Sequence, residues 1–353
     1  MITTKDIKRS NDFCCCIQIQ AKVNFVHLVS RVESLVIKIS WENLNSYKLP
    51  NKLTLKAKNI LISGSTGMIG KHLISSLEKK GHNILRLTRN LINAHDIKWN
   101  PQSDSIDLSK AQQLDAVIHL AGESITSRRW SKSQKEKISK SREQGTRLLS
   151  ESIAKLPIPP KVLISASGIN YYDQDSNESH TEDSLPGKRF LSAVCQRWEE
   201  ATNPALEANI RVCIMRIGVV LTPTGGALKK MLPSIKLGLG GRIGSGLQRM
   251  SWISIDDLVG MINEALLDNR WKGPINAVAD EPVTNKEFTN VLAKLLKRSA
   301  FLPVPEILIK LLFGQMAEET LLADLPVYSK RMPELGYKLT YPSLYKALTH
   351  LIK

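Results

Sequence analysis

"NILISGSTGMIGKHLISSLEKKGHNILRLTRN", residues 59–90, is the most informative stretch of this chain. An apolar run, 59–64, leads into glycines at 64, 67 and 70 and then into a pattern of helical period that stops at Gly81. Each glycine answers a separate physical need. Gly64 allows a tight turn, Gly67 lets backbone approach a pyrophosphate, and Gly70 lets helix pack closely on strand. The helix start adds free N–H groups and a partial positive charge for the phosphates. With Ser65, Thr66, Met68 and Ile69 between them, these residues read as a dinucleotide cradle.

The same alternation continues downstream. "NILRLTR" (83–89), "LDAVIHLAG" (114–122), "KVLISAS" (161–167) and "IRVCIMRIGVVL" (210–221) are strand-like, and helical stretches at 131–156 and 190–208 separate the later ones. Strands apolar on both faces, alternating with helices, predict an α/β protein with a Rossmann-type, doubly wound parallel sheet. Ligands of such a sheet bind at the carboxyl ends of its strands. From about residue 222 the rhythm gives way to a Gly-rich segment and shorter elements, which predicts a smaller C-terminal lobe. The expected organisation is therefore an N-terminal extension of unassigned role (1–57), a nucleotide-binding domain with substrate-lobe insertions from about 222 (58–295), and a C-terminal helical region (296–353).

With 353 residues, 42% of them hydrophobic, the chain can bury a large core. Lys and Arg outnumber Asp and Glu by 49 to 33, a net charge of +16, so the surface attracts anions. No nucleic-acid-binding signature accompanies that charge, and nucleic acid is not expected as a partner. The cysteines, Cys14, Cys15, Cys16, Cys195 and Cys213, offer no metal-ligand spacing, so no metal is expected. Charges interrupt every long apolar run, as Arg31 and Glu33 do, so no membrane span is expected and the cytoplasm is the expected compartment. The N-terminal extension leaves organelle targeting open, although Asp6 and Asp12 disfavour a transit peptide.

The end of the second strand speaks to the cofactor. An NAD site usually places an acidic residue there for the ribose 2′-hydroxyl, whereas this strand ends in Thr88 and Arg89. A guanidinium at Arg89 suits a 2′-phosphate, which favours NADP over NAD.

The glycine loop, "HLAGE" (119–123), "LISAS" (163–167) and "SWISIDDL" (251–258) resemble the extended branch of the short-chain dehydrogenase/reductase superfamily. More narrowly, "RRWSKSQKEKISKSREQGTRLL", "ISASGINYYD", "WEEA", "GGALKKMLPSIKLGLGGRIGSG" and "EPVTNKEF" are similar to an atypical NAD(P)-dependent epimerase/dehydratase-like family with a small C-terminal domain of its own. The resemblance runs from about residue 58 to the end. It implies cofactor contacts from the glycine loop, from Thr88 and Arg89, and from Leu120, Ala121 and Gly122. It also implies a small-molecule substrate, and the homodimer common in the superfamily as an assembly.

Members of that superfamily use a Tyr-x-x-x-Lys pair on the helix after the Ser-bearing strand. Aligning Glu199 with the acid that usually follows the Lys puts Leu191 at the Tyr position and Cys195 at the Lys position, so both groups are missing. Cys195, on an apolar helix face, reads as a packed small hydrophobe. Ser167 and Tyr172 are the candidate substitutes, with Arg129, Arg142 or Lys188 as neighbouring cations. Tyr171 and Tyr172 follow Ser167 on a loop expected at the mouth of the cleft, where a tyrosine serves either as an acid or as a stacking wall. Arg129, Trp130 and Arg142 read either as a solvated helix start or as a surface for an anionic, ring-bearing substrate, and the resemblance tips this toward the latter. Asp256 and Asp257 read as a helix cap and lobe hinge, and His119 as a packed histidine.

The expected function is thus an NADP-binding, epimerase-like or oxidoreductase-like protein acting on an unidentified small polar substrate. A catalytically inactive cofactor-binding regulator, for example a cell-division-linked factor, is the alternative.

Overall fold

The strand β1 (Asn59–Ser63) is the centre of the sheet, because its alternate side chains supply two different cores. The computed structural model describes residues 56–353 apart from positions 112, 127 and 177, and the expectations for the N-terminal extension and its Cys triplet lie outside the described residues. Along the chain follow β2 (Asn83–Thr88), β3 (Asp96–Asn100), β4 (Ser105–Ile106), β5 (Ala116–His119), β6 (Val162–Gly168) and β7 (Arg211–Ile217). After them come β8 (Val219–Leu221), β9 (Arg249–Met250), β10 (Trp252–Ser254), β11 (Gly273–Ala277) and β12 (Val283–Thr284). The large sheet has the order β11-β7-β6-β5-β1-β2-β3-β4, parallel throughout except for β4. The expected doubly wound fold is what the chain adopts.

Helices cover both faces of this sheet. Along the chain the α-helices are α1 (Met68–Lys79), α2 (Lys132–Ala154), α3 (Phe190–Glu200), α4 (Asn203–Glu207), α5 (Gly226–Lys236) and α6 (Ile255–Leu267), then α7 (Asn285–Leu295), α8 (Glu306–Phe313), α9 (Arg331–Leu335) and α10 (Leu344–Leu351). Ile60 and Ile62 of β1 pack with Leu73 and Leu77 of α1 and Ile262 of α6. Leu61 points the other way, into a core with Leu149 and Ile153 of α2. The two-residue period of a strand therefore accounts for "ILI" being apolar at every position.

Three details depart from the expected run of elements. β3 and β4 were not expected; "DIKWN" is short and polar at alternate positions, yet Ile97 and Trp99 are buried. The run 210–221 is two strands: a Cβ at Gly218 would lie 2.8 Å from the Ser251 carbonyl oxygen, and here the chain leaves β11 for a separate pairing of β8 with β10. The helical stretch 190–208 breaks after Glu200, and Pro204 sits in the first turn of α4, where a missing N–H costs nothing.

A smaller core beyond the sheet gathers Leu228, Trp252, Phe288, Leu292 and Leu348. Asp257 ties it down: its carboxylate accepts from Ser254, which caps α6, and from the N–H groups of Thr340 (2.6 Å) and Tyr341 (3.1 Å). Ala57–Lys353 form one compact unit. Among the described residues no helix is long and apolar enough to cross a membrane.

Candidate functional site

The strand order reverses direction between β1 and β5, and the crevice outside their carboxyl ends is the expected ligand position of such a sheet. The glycine loop sits there. Gly64 has φ +70°, and a Cβ on it would stand 2.8 Å from the Leu120 carbonyl carbon, so both its conformation and its contact with β5 require glycine. A Cβ on Gly70 would collide with the Gly64 oxygen, which is the close helix-to-strand packing expected. Gly67 differs. It begins α1 at φ −70°, ψ 170°, which any residue adopts, and its Cβ would meet only the Gly64 oxygen, at 3.1 Å. No side chain caps α1. The cradle therefore fits a pyrophosphate: backbone N–H groups without side-chain competition, at the positive end of a helix.

A buried hydrogen-bond centre sets the floor beside it. The Ser63 hydroxyl accepts from the N–H groups of Leu120 (3.1 Å) and Ala121 (3.2 Å) and lies 2.6 Å from His119 Nδ1. These bonds hold the ends of β1 and β5 level, with Gly122 next in line. His119 is fully buried, and burial together with nearby Arg142 lowers its pKa to about 4. The sign follows: below pH 6.5 the unfolded chain takes up a proton that native His119 refuses, so stability falls as pH drops toward 4. We expect this residue to remove up to about 3 kcal/mol across that window. Urea unfolding at about pH 7 and about pH 4.5 tests it, since His119→Asn keeps an acceptor for Ser63 without a titrating ring. An equally steep acid loss in the variant would assign the effect elsewhere.

At the end of β2, Thr88 donates to the Asn90 carbonyl (2.8 Å) and Arg89 is exposed. Met68 carries a second contact: Gly225 and Gly226 pack their backbone against its side chain, bringing the start of α5 onto the glycine loop.

The region expected to hold catalytic groups is organised around a pair that the sequence reading did not single out. Arg216 of β7 and Glu199 of α3 form a two-pronged ion pair, Nε to Oε1 at 2.9 Å and Nη2 to Oε2 at 2.8 Å. Burial works against the Arg216 charge, but the bonds to Glu199 outweigh it and hold the guanidinium above its usual pKa. Ser167, at the end of β6, donates its hydroxyl to Glu199 at 2.7 Å, so while that bond stands it offers a substrate only acceptor lone pairs. Tyr172 receives a bond from Arg216 (2.9 Å), donates to Asn276 (2.7 Å) and stacks on His180. It has no exposed surface, and burial pushes its pKa up to about 12. The expectation of Tyr172 as an acid at the cleft mouth is therefore corrected: its hydroxyl is spent inside a structural network. Tyr171 lies over the Arg216 guanidinium, 3.5 Å from ring centroid to Cζ, so one ring face is occupied. The legible signal for this network was an arginine inside the otherwise apolar "VCIMRIGVV".

Leu191 is buried beside Trp130, Ile138, Val194 and Met316. Cys195 is buried too, and desolvation pushes its thiol up to about 11, so it stays protonated at neutral pH. Trp130 belongs to that apolar cluster, with its indole N–H donating to the Ile125 carbonyl (2.8 Å), which corrects its placement on a binding surface. Arg129 donates to the Leu311 carbonyl in α8 (3.1 Å) and so clamps the C-terminal region. Arg142 alone of this group reaches the floor of the crevice. Its guanidinium lies over Gly122, where a Cβ would stand 3.2 Å from Cζ, and 4.8 Å from the Trp198 ring. Nη1 donates to the carbonyls of Glu123 (2.9 Å) and Ile138 (3.2 Å); among the described residues Nε and Nη2 make no hydrogen bond. Among those residues, too, no cluster of three or more His, Cys, Asp or Glu could hold a metal ion.

Residues 60–277 match the model of the NAD dependent epimerase/dehydratase family. The chain belongs to that family. Residues 304–351 match a second model, a domain of unknown function (DUF1731). Among epimerase family proteins, human SDR39U1 is 36% identical over 296 residues, covering 83% of this chain and 99% of its own. A Mycobacterium tuberculosis member, MT2273, is 36% identical over 290 residues, covering 82% and 96%. The crystal structure of human SDR39U1 with NADPH superposes with a TM-score of 0.77 at 35% identity, over 83% of this chain and 98% of that one. A nucleoside-diphosphate sugar epimerase from Corynebacterium glutamicum gives 0.69 at 33%, over 84% of this chain and 58% of its own.

Proposed function

We propose that this chain binds NADP(H) in the crevice at the ends of β1, β2 and β5 and acts, as an epimerase-like or oxidoreductase-like enzyme, on a small polar substrate. Arg142 carries this reading. Its guanidinium bonds two carbonyls and leaves Nε and Nη2 without partners among the described residues, so both can donate charge-assisted bonds to an oxygen-rich ligand in the crevice. It stands over Gly122 and beside Cys195, the position where the superfamily has its lysine, so it supplies the missing cation from a different helix. The human relative crystallised with NADPH, together with Arg89 at the end of β2, supports NADP over NAD.

Gly64, Ser65, Thr66, Gly67, Met68, Ile69 and Gly70 would cradle the pyrophosphate, with Thr88 and Arg89 at the adenosine end and Leu120, Ala121 and Gly122 beneath it. Bound NADP(H) supplies or accepts a hydride. The protein's own part is to orient: Ser167, held by Glu199, accepts a hydrogen bond from a substrate hydroxyl, and Arg142 holds a ligand oxygen next to it.

Fluorescence titration with NADPH and NADH tests the reading. We expect tenfold to hundredfold weaker NADPH binding in Arg142→Met, the loss of a charge-assisted hydrogen bond, and partial recovery in Arg142→Lys. Wild-type protein should bind NADPH more tightly than NADH. Unchanged affinity in Arg142→Met, with an unchanged melting curve, would make Arg142 a packing residue.

A further inference from the structure

Single exposed apolar residues are ordinary on a folded surface, but one face of this protein gathers many. The helix α8, "EILIKLLF", buries Ile309, packs Phe313 inward and turns its other apolar residues outward, with Ile307 82% and Leu311 68% exposed and Leu308 and Leu312 beside them. The pattern is inverted: an amphipathic helix on a globular protein ordinarily buries its apolar stripe. Two neighbouring segments extend the same face. The Arg242 carbonyl accepts from Val304, whose own carbonyl accepts from Gly244, each at 2.9 Å, and Arg298 donates to the Lys236 carbonyl, also at 2.9 Å. These bonds join the loop after α5, with exposed Leu237 and Leu239, to the segment before α8, with exposed Phe301. Exposed apolar residues gathered on segments bonded to one another in this way mark a docking surface.

The charges around it select the occupant. Lys236, Arg242, Lys297, Arg298 and Lys310 are all exposed on these segments, against Glu306, which pairs with Lys310. A second copy of the chain would bring the same basic rim against itself, a repulsive arrangement at an isologous interface. An anionic bilayer satisfies both features at once: it accepts the leucines among its acyl chains and pairs the basic rim with its headgroups. We propose that this face docks the protein peripherally on an anionic lipid membrane. This is adsorption to one leaflet, which requires no spanning helix, and it does not depend on the nucleotide reading.

Cosedimentation of the full chain with lipid vesicles tests it. The probes are vesicles of phosphatidylcholine alone and of phosphatidylcholine mixed with phosphatidylglycerol. Wild-type protein should bind the mixed vesicles roughly tenfold more tightly, or better, and lose that binding in high salt. Ile307→Ser/Leu311→Ser, both on exposed positions, should weaken it by about tenfold or more with an unchanged melting curve. Lys236→Gln and Lys297→Gln should each weaken it about fivefold, the ratio that ~1 kcal/mol per basic residue represents. No binding by wild type, equal binding to both vesicle types, or full binding by the variants would overturn the proposal. A wild-type dimer that Ile307→Ser/Leu311→Ser converts to monomer would also overturn it, assigning the face to self-association.

Discussion

Arg216→Met will cost about 3–5 kcal/mol of folding free energy, the range for breaking one partner out of a buried ion pair. The Arg216 side chain is 4% exposed and that of Glu199 11%, so neither charge has water to fall back on. Removing the guanidinium strands the Glu199 carboxylate, which keeps only the Ser167 hydroxyl, and deprives Tyr172 of its donor. The same change removes the cation lying over the Tyr171 ring. The decisive comparison is with Arg216→Met/Glu199→Gln, in which no charge is left behind. Chemical unfolding should show that the double variant recovers more than half of the loss, because the cost lies in the orphaned carboxylate rather than in the missing attraction. A single variant within about 1 kcal/mol of wild type would mean that the pair is not sealed from solvent in solution.

Gly67→Asp will weaken NADPH binding about hundredfold or more, about 2.7 kcal/mol, while the protein stays folded. The fold tolerates the change because the Gly67 backbone is in an ordinary extended conformation and its Cβ would meet only the Gly64 oxygen, at 3.1 Å. The ligand does not tolerate it, because a carboxylate at the start of α1 competes for the same N–H groups and repels the pyrophosphate. Gly67→Ala separates bulk from charge and should lose far less. A folded Gly67→Asp protein that still binds NADPH within about threefold of wild type would remove the glycine loop from the cofactor site. Gly70→Asp does not serve the same purpose, since a Cβ there collides with the Gly64 oxygen and the fold itself would yield.

Features governed by local spacing were readable from the chain alone. The strand-glycine-helix unit of residues 59–81 was legible because a turn, a close approach and a helix start each demand particular residues at fixed intervals. The parallel sheet followed from runs such as "ILI" and "KVLIS", whose burial on both faces requires apolar residues at every position. Cys195 was readable as a packed residue from its place on an apolar helix face, and both Leu191 and Cys195 are buried, Leu191 in an apolar cluster and Cys195 close to Arg142 and Ser167. His119 was readable as packed because a polar residue inside a buried strand must find a partner within its own layer, and it found Ser63 on the adjacent strand.

Which polar side chains meet was settled by tertiary packing. Arg129, Trp130 and Arg142 stand close together in the chain, yet one clamps α8, one enters an apolar cluster and one lies over Gly122. Nothing in their spacing separates those fates, because each depends on contacts beyond its own segment. Tyr172 and Ser167 were likewise assigned by chain position, whereas their hydroxyls answer to Asn276 on β11 and Glu199 on α3. The outward face of α8 shows the same limit from the other side: its apolar residues predict burial, and only the packing of Ile309, Phe313 and Met316 inward shows that the remaining leucines are left facing out. Helical and strand periods fix which residues share a face, but which face meets which partner is settled by contacts between segments far apart in sequence, where local pattern carries no information.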